Sequence, residues 1–186
     1  MELQTSQQRL TISLLILVVG AAWIWVSRDE LGVSTSGQIP APQVGFFAPD
    51  FTLQTMDGET VSLSDYGGQG VLVNLWASWC IPCLTEMPAM QSVYDQYKDQ
   101  GFMVLAVNIT SQDSKESAIR FAEQNNLSFP ILFDITGEVA RAYQMRAFPS
   151  SFFIGSDGII QEVVIGGPMA KALLLVRAEQ LLLGDE

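Results

Sequence analysis

Residues 70–83 read GVLVNLWASWCIPC, and this stretch predicts a buried strand that runs directly into a helix. The near-continuous apolar run at residues 70–76 is typical of a strand buried on both faces of a sheet. From about Cys80 to Gln100, apolar side chains recur at helical spacing, which predicts a helix. The strand therefore delivers Cys80 to the N-terminus of the helix, and Cys83 follows one turn later.

The two cysteines are spaced for redox chemistry. At positions i and i+3 on the first turn of a helix, they can form a disulfide without much backbone movement. The unpaired N–H groups and the helix dipole stabilise a thiolate at Cys80, whereas Cys83 is expected to be more buried and less acidic. This asymmetry suits dithiol exchange, in which Cys80 attacks a partner disulfide and Cys83 resolves the mixed disulfide.

Two other interpretations of the cysteine pair are disfavoured. A purely structural disulfide would close a very short loop and would remove little entropy from the unfolded chain. A zinc site needs about four ligands, and only a dimer would complete one here. The chain has two cysteines and no histidine. We therefore expect neither a metal nor a cofactor at the pair.

Composition excludes several other classes of function. Aspartate and glutamate total 20 and lysine and arginine 9, which gives a net charge of −11. This acidity disfavours nucleic acid as a partner, because phosphate binding needs a basic surface. The absence of histidine excludes Ser-His-Asp and Cys-His catalysis and histidine metal sites.

The N-terminal region predicts a single membrane anchor. Residues 10–26 carry no charge, and as a helix they would span roughly 25 Å, close to the minimum for crossing a bilayer. Trp23 and Trp25 lie at the distal end, where aromatic rings favour the lipid–water boundary. The run is longer than the core of a signal peptide, and no A-x-A cleavage site follows it. Arg9 and the free amine place residues 1–9 in the cytoplasm and the rest of the chain outside.

The remaining sequence predicts a linker and one α/β domain. Residues 27–44 are rich in Ser, Gly and Pro and indicate a tether, and the folded domain is expected at 45–186. Alternating strands and helices, followed by a terminal hairpin and helix, favour a mixed central sheet flanked by helices. The other predicted elements are a hairpin of 51–53 and 60–63, strands at 102–108 and 129–133, helices at 114–125 and 137–143, a hairpin of 150–154 and 159–165, and a helix at 169–183.

Residues 73–83 resemble the active-site segment of thioredoxin-like proteins. The segment is most similar to the membrane-anchored, extracytoplasmic thiol–disulfide oxidoreductases of the ResA/TlpA group, which are of the redoxin (AhpC/TSA) type. Residues 48–53 resemble the start of the redoxin N-terminal hairpin, and residues 108–134 resemble the strand and helix inserted centrally in this group. Residues 147–154 resemble the cis-proline loop. The resemblance implies a thioredoxin-like fold from about residue 45 to 183.

The resemblance also implies which residues contact the substrate. Pro149 matches the cis-proline, which would hold the partner's segment in extended pairing; an ordinary trans proline is the alternative. Phe148 stands where the group often has a smaller or β-branched residue, and this departure affects the shape of the substrate groove. Trp79 is expected to line an exposed apolar rim around Cys80, whereas Trp76 is expected in the core.

Glu86 matches a carboxylate that the ResA-like group carries three residues after the second cysteine. Burial near Cys83 would raise its pKa and let it accept and return the Cys83 proton. The alternative is a first-turn glutamate favoured by the helix dipole. Cytosolic thioredoxin instead has an aspartate on the preceding strand, where this chain has Asn74, so the anchored group is favoured.

The predicted activity is reduction of disulfides in partner proteins. In this family, reductases act on apocytochrome c or other extracytoplasmic disulfides and receive electrons from a membrane thiol donor. Ile81 and Pro82 carry no charge, which disfavours a strongly oxidising pair. The alternative functions are a peroxiredoxin-like peroxidase and a Sco-like copper-binding protein. The peroxidase would need a threonine and a proline before a lone cysteine, and the copper-binding protein would need a C-x-x-x-C spacing and a histidine. The chain has neither pattern.

Overall fold

The computed structural model describes residues 40–183 and, nearer the N-terminus, Leu15, Ile16 and Val18, which are helical. Apart from these three residues, the predicted cytoplasmic segment, membrane anchor and most of the linker lie outside the described residues. No helix within the described part of the chain is both long and apolar enough to cross a membrane.

A seven-stranded mixed sheet forms the centre of the domain. Its order is β2-β1-β5-β4-β3-β6-β7. The central strands β3, β4 and β5 run parallel, and the remaining neighbours pair antiparallel. The mixed sheet predicted from the sequence is therefore confirmed. The strands are β1 (Thr52–Thr55), β2 (Thr60–Ser62), β3 (Gly70–Trp76), β4 (Phe102–Asn108), β5 (Ile131–Phe133), β6 (Ser150–Ile154) and β7 (Ile160–Ile165).

Helices cover both faces of the sheet. They are α1 (Ile81–Tyr97), α2 (Lys115–Gln124), α3 (Glu138–Ala142) and α4 (Lys171–Leu183). Side chains of α1, α2 and α4 pack with Leu72 and Trp76 of β3 in one core, whereas Val139 of α3 packs in the core on the opposite face. The leucine-rich last helix thus buries Leu174 and Leu181 within the domain.

The alternation of side chains along β3 decides which of them face α1, the helix that begins at the cysteine pair. Leu72 and Trp76 point toward α1, and Val71, Val73 and Leu75 point toward the other core. Because successive side chains of a strand alternate, Asn74 lies on the same face as Leu72 and Trp76. A polar amide is therefore placed under α1.

Several predicted boundaries differ from the structure by one to three residues, and two of these differences have a direct physical reason. The first helix ends at Tyr97 instead of Gln100, and a 3-10 turn leads to Gly101, whose φ of 94° lies in the left-handed region that glycine adopts readily. The strand predicted from residue 129 begins at Ile131, because Pro130 has no N–H to donate to a neighbouring strand.

Candidate active site

Cys80 and Cys83 lie at the junction of β3 and α1 and are joined by a disulfide, with their Cα atoms 5.3 Å apart. Cys80 is the N-cap residue of α1, and its Sγ accepts a hydrogen bond from the backbone N–H of Cys83 at 3.2 Å. This N–H and the helix dipole would stabilise a thiolate on Cys80 after reduction. Cys83 is completely buried and Cys80 is 4% exposed. The predicted order of exposure holds, but Cys80 is far less accessible in the disulfide form than expected.

Asp113 fixes the backbone immediately before Cys80. Its carboxylate accepts hydrogen bonds from the N–H and hydroxyl of Ser78, at 2.5 and 2.6 Å, and from the amide of Asn108 at 2.7 Å. The indole N–H of Trp79 donates to the carbonyl of Gln112 at 3.0 Å. The loop after β3 is thereby held to the loop after β4. Sequence reasoning missed Asp113, although the carboxyl ends of adjacent parallel strands lie at one edge of a sheet.

The carboxyl group of Asp113 is held in its ionised form. Partial burial by itself would raise its pKa, but the hydrogen bonds from Ser78, Asn108 and Ser114 outweigh burial and lower the pKa below the ordinary value. A lowered pKa means that the ionised carboxylate contributes stability above the unfolded-state pKa of about 3.9. That contribution is lost as the pH falls through the lower, folded-state pKa.

We expect Asp113→Asn to destabilise the protein by about 1–3 kcal/mol at neutral pH, because at least one N–H that donates to the carboxylate loses its acceptor. The difference in the free energy of unfolding between the variant and the parent should shrink below about pH 3.9, where the parent loses the contribution of its ionised carboxylate. Urea unfolding across this pH range measures both effects. Asp57→Asn, at an exposed position in the β1–β2 turn, is the control. A difference in the free energy of unfolding that does not change with pH would contradict a lowered pKa of Asp113.

An apolar rim borders the cysteine pair. Trp79 is 56% exposed and Ile81 76% exposed. The Trp79 ring meets the partly buried ring of Phe148 edge-to-face, with centroids 5.0 Å apart. The peptide bond between Phe148 and Pro149 is cis, as the resemblance implied. The structure thus brings the predicted substrate-contacting side chains Trp79 and Phe148 together.

Glu86 is completely buried beneath this surface. Its Oε1 accepts a hydrogen bond from Asn74 Nδ2 at 2.9 Å, and its Oε2 accepts one from the Met169 N–H at 3.0 Å. Burial raises the pKa of Glu86, and these two hydrogen bonds offset only part of the increase. Because α1 begins at Ile81, Glu86 lies in the second turn. The alternative of a first-turn glutamate stabilised by the helix dipole is therefore wrong.

The segment 166–169 closes the site from the C-terminal side. A Cβ atom at Gly167 would lie 2.8 Å from Glu86 Oε2 and 2.8 Å from Pro149 Cγ. The Gly166 N–H donates to the Pro149 carbonyl at 2.7 Å, and the peptide bond before Pro168 is cis. Glu86 and Pro149 therefore both lie against Gly167. Sequence reasoning did not identify this segment.

Gly167→Ala is expected to cost about 1–3 kcal/mol of stability, because the added methyl group has no room between Glu86 and Pro149. Movement of the segment would lengthen the hydrogen bond from Met169 and raise the pKa of Glu86 further. Chemical denaturation and carbon-13 NMR of the Glu86 carboxyl measure the two effects. The control is Gly67→Ala, where a Cβ makes an ordinary contact of 3.6 Å. Equal stability of the two variants would show that the packing argument is incorrect.

The site has the groups that dithiol exchange requires. Cys80 lies at a helix N-terminus, Cys83 lies within reach for a disulfide, and a buried carboxyl of raised pKa follows Cys83 by one turn. An apolar rim borders the pair, and a partner polypeptide can bury such a surface on docking.

Known proteins are similar to this chain in sequence. Residues 44–163 match the AhpC/TSA family. The thiol-disulfide oxidoreductase ResA of Geobacillus kaustophilus is 39% identical over 160 residues, covering 86% of this chain and 89% of the relative. The thioredoxin-like protein YneN of Bacillus subtilis is 39% identical over 165 residues, covering 86% of this chain and 91% of the relative.

A solved structure has the same fold. It is a Chlorobium tepidum protein provisionally assigned as the thiol:disulfide interchange protein DsbE, with 35% sequence identity and a TM-score of 0.68. The match covers 73% of this chain and 95% of the Chlorobium chain. Together with the sequence matches, this similarity establishes a thioredoxin-like enzyme. The chain belongs to the AhpC/TSA family and, within it, to the thiol–disulfide oxidoreductases of the ResA type.

Proposed function

We propose that this thiol–disulfide oxidoreductase acts as a reductase outside the cytoplasm, on disulfides of partner proteins such as apocytochrome c. The observation that carries the proposal is the position of Cys80, whose Sγ accepts the Cys83 N–H at the start of α1. A thiolate there attacks a disulfide, and Cys83 lies close enough to complete the exchange.

The reaction proceeds in two displacements. The Cys80 thiolate attacks one sulfur of the partner disulfide, so that a mixed disulfide forms and the other partner sulfur leaves as a thiolate. Cys83 then gives its proton to Glu86 and attacks Cys80 Sγ. The Cys80–Cys83 disulfide forms, and the second partner sulfur leaves. Two electrons have passed from the dithiol to the partner, and the proton on Glu86 is available to a leaving sulfur.

The apolar rim and the cis-proline segment form the docking surface in this proposal. Trp79, Ile81 and Phe148 offer exposed or partly exposed apolar surface, which a partner segment would bury. The backbone just before cis-Pro149 would present the edge against which that segment lies extended, because Pro149 has no N–H and its carbonyl already accepts the Gly166 N–H. Cys80 is nearly buried in the disulfide form. In this proposal it attacks a partner only after the disulfide has been reduced and the partner has docked on this surface.

Electrons for the next cycle come from a membrane thiol donor, and residues 10–26 anchor the enzyme in the bilayer as a single span with its domain outside. The uncharged 17-residue run and the helical state of Leu15, Ile16 and Val18 support the anchor. The donor's thiols would reduce the Cys80–Cys83 disulfide by the same exchange in reverse.

The test is the redox behaviour of the full chain in detergent. We expect a Cys80–Cys83 potential nearer that of thioredoxin, about −270 mV, than that of DsbA, about −120 mV, because Ile81 and Pro82 add no positive charge. The reduced enzyme should reduce a disulfide formed within a C-x-x-C-H peptide and should not consume hydrogen peroxide. A potential near that of DsbA would indicate an oxidase, and rapid peroxide consumption would indicate a peroxidase.

A further inference from the structure

Four segments surround the cysteine pair, and a partner polypeptide that reaches Cys80 must contact them. They are 77–85, 110–113, 144–149 and 166–170. Trp79 of the first segment donates its indole N–H to a carbonyl of the second, and its ring packs against Phe148 of the third. The fourth segment bonds to the third, because the Gly166 N–H donates to the Pro149 carbonyl. The charged side chains of these segments therefore affect which partners can dock.

Charge is scarce on these four segments, although the whole chain carries a net charge of −11. They contain two charged side chains, Asp113 and Arg146. Asp113 is partly buried, and its carboxylate accepts hydrogen bonds from Ser78, Asn108 and Ser114. Arg146 is exposed. Of the charged groups in these described segments, Arg146 is therefore the one that is free to meet a partner.

The guanidinium of Arg146 has no hydrogen-bond or ion-pair partner within residues 40–183. The other arginines in this range each donate to an oxygen atom of the domain. They are Arg120, Arg141 and Arg177. Arginine presents a planar fork of five N–H donors, which matches a carboxylate in a bidentate pair. All the side-chain donors of Arg146 are thus available to an acceptor on a partner.

Arg146 lies beside the backbone edge used in the proposed docking. It is two residues before Phe148, so their Cα atoms are at most about 7 Å apart. A partner segment would lie extended along the backbone just before Pro149, with its cysteine at Cys80. Directly opposite side chains in such pairing have Cβ atoms roughly 5 Å apart. A partner side chain within about two residues of the attacked cysteine can therefore reach the Arg146 guanidinium.

We propose that Arg146 is a specificity-determining residue that selects partner segments with an aspartate or glutamate close to the attacked cysteine. The inference rests on the proposed reduction of partner disulfides and names one chemical feature of the preferred substrates. The aromatic rings of Trp79 and Phe148 would exclude water from this ion pair on docking, and a drier site strengthens the attraction between opposite charges. The acidic remainder of the chain repels an acidic segment, so Arg146 also favours one docking orientation over others.

The experiment measures kcat/KM of the reduced full chain in detergent for three C-x-x-C-H peptides, each with one internal disulfide. Their two residues that flank the cysteines are glutamate, glutamine or lysine. We expect the glutamate-to-glutamine ratio of kcat/KM to be about tenfold lower in Arg146→Gln than in the parent, because a charge-assisted hydrogen bond is lost. The lysine-to-glutamine ratio should rise. Arg146→Lys keeps the charge without the fork and should give intermediate ratios.

Each ratio compares two peptides on one variant, so a general loss of activity or of folded protein cancels. Differences in the intrinsic reactivity of the peptides cancel between the parent and the variant. Arg120→Gln and Lys171→Gln are the matched controls, since each removes one positive charge at another exposed position. Both should keep the ratios of the parent.

An unchanged glutamate-to-glutamine ratio in Arg146→Gln would overturn the proposal. An equal loss of the ratio in either control would also overturn it, because net charge would then explain the preference. Failure of the proposed function gives a different result. If the chain is an oxidase, it will oxidise the dithiol forms of the peptides instead. Their ratios test Arg146 equally, because both directions pass through the same mixed disulfide.

Discussion

Cys83→Ser is expected to accumulate stable mixed disulfides with partner proteins through Cys80, whereas Cys80→Ser should accumulate almost none. Turnover should fall to the uncatalysed rate in both variants, because each removes one of the two sulfurs that exchange requires. The physical reason for the asymmetry is position. Cys80 caps the helix and borders the apolar rim, whereas Cys83 lies wholly beneath it.

Non-reducing electrophoresis and mass spectrometry of the reduced variants, incubated with a disulfide peptide, measure this outcome. Both variants should remain folded, because a disulfide across so short a loop removes little entropy from the unfolded chain. Circular dichroism of each variant is the control. If Cys80→Ser forms the mixed disulfide and Cys83→Ser does not, the roles of the two cysteines are reversed.

Local sequence pattern was sufficient for the parts of the fold that place the cysteines at the junction of β3 and α1. The apolar runs 70–76 and 102–108 predicted β3 and β4 with their observed bounds, because a strand buried on both faces needs apolar side chains throughout. Both predicted hairpins are present, and each has an Asp-Gly pair in its turn, at 57–58 and 157–158. The helix predicted at 114–125 is observed at Lys115–Gln124, and Ser114 caps it, since its hydroxyl accepts the Ser117 N–H at 3.3 Å.

Contacts between distant segments were beyond the reach of sequence pattern. The bond from Met169 to Glu86 joins residues 83 apart, and those from Ser78 to Asp113 join residues 35 apart. Neither bond leaves a periodic signal, since one depends on how a loop meets α1 and the other on how two loops meet at one edge of the sheet. The near-complete burial of Cys80 likewise depends on the surrounding fold and not on its place in the helix alone.

Burial of Glu86 makes the stability of the protein depend on pH. A carboxyl whose pKa is raised on folding favours the folded state while it is protonated. Its contribution is fully present below the unfolded-state pKa of about 4.3 and is lost as the pH rises through the folded-state pKa. Glu86→Gln removes this titration, so the stability of the variant should fall less than that of the parent over this window.

Glu86→Gln should also slow the resolving step by about a hundredfold, toward the lower end of the effect of a general base, because Cys83 then has no carboxylate to take its proton. Thiol alkylation rates measured against pH should place the Cys83 pKa of the variant above that of the parent. Glu138→Gln, at an exposed position in the first turn of α3, is the control and should leave both thiols unchanged. If Glu86 only accepts structural hydrogen bonds from Asn74 and Met169, the variant will change stability and leave the thiol titration as it was. Unchanged thiol pKa values would therefore refute the proton exchange, because a carboxyl that takes the Cys83 proton must alter the pH at which Cys83 ionises.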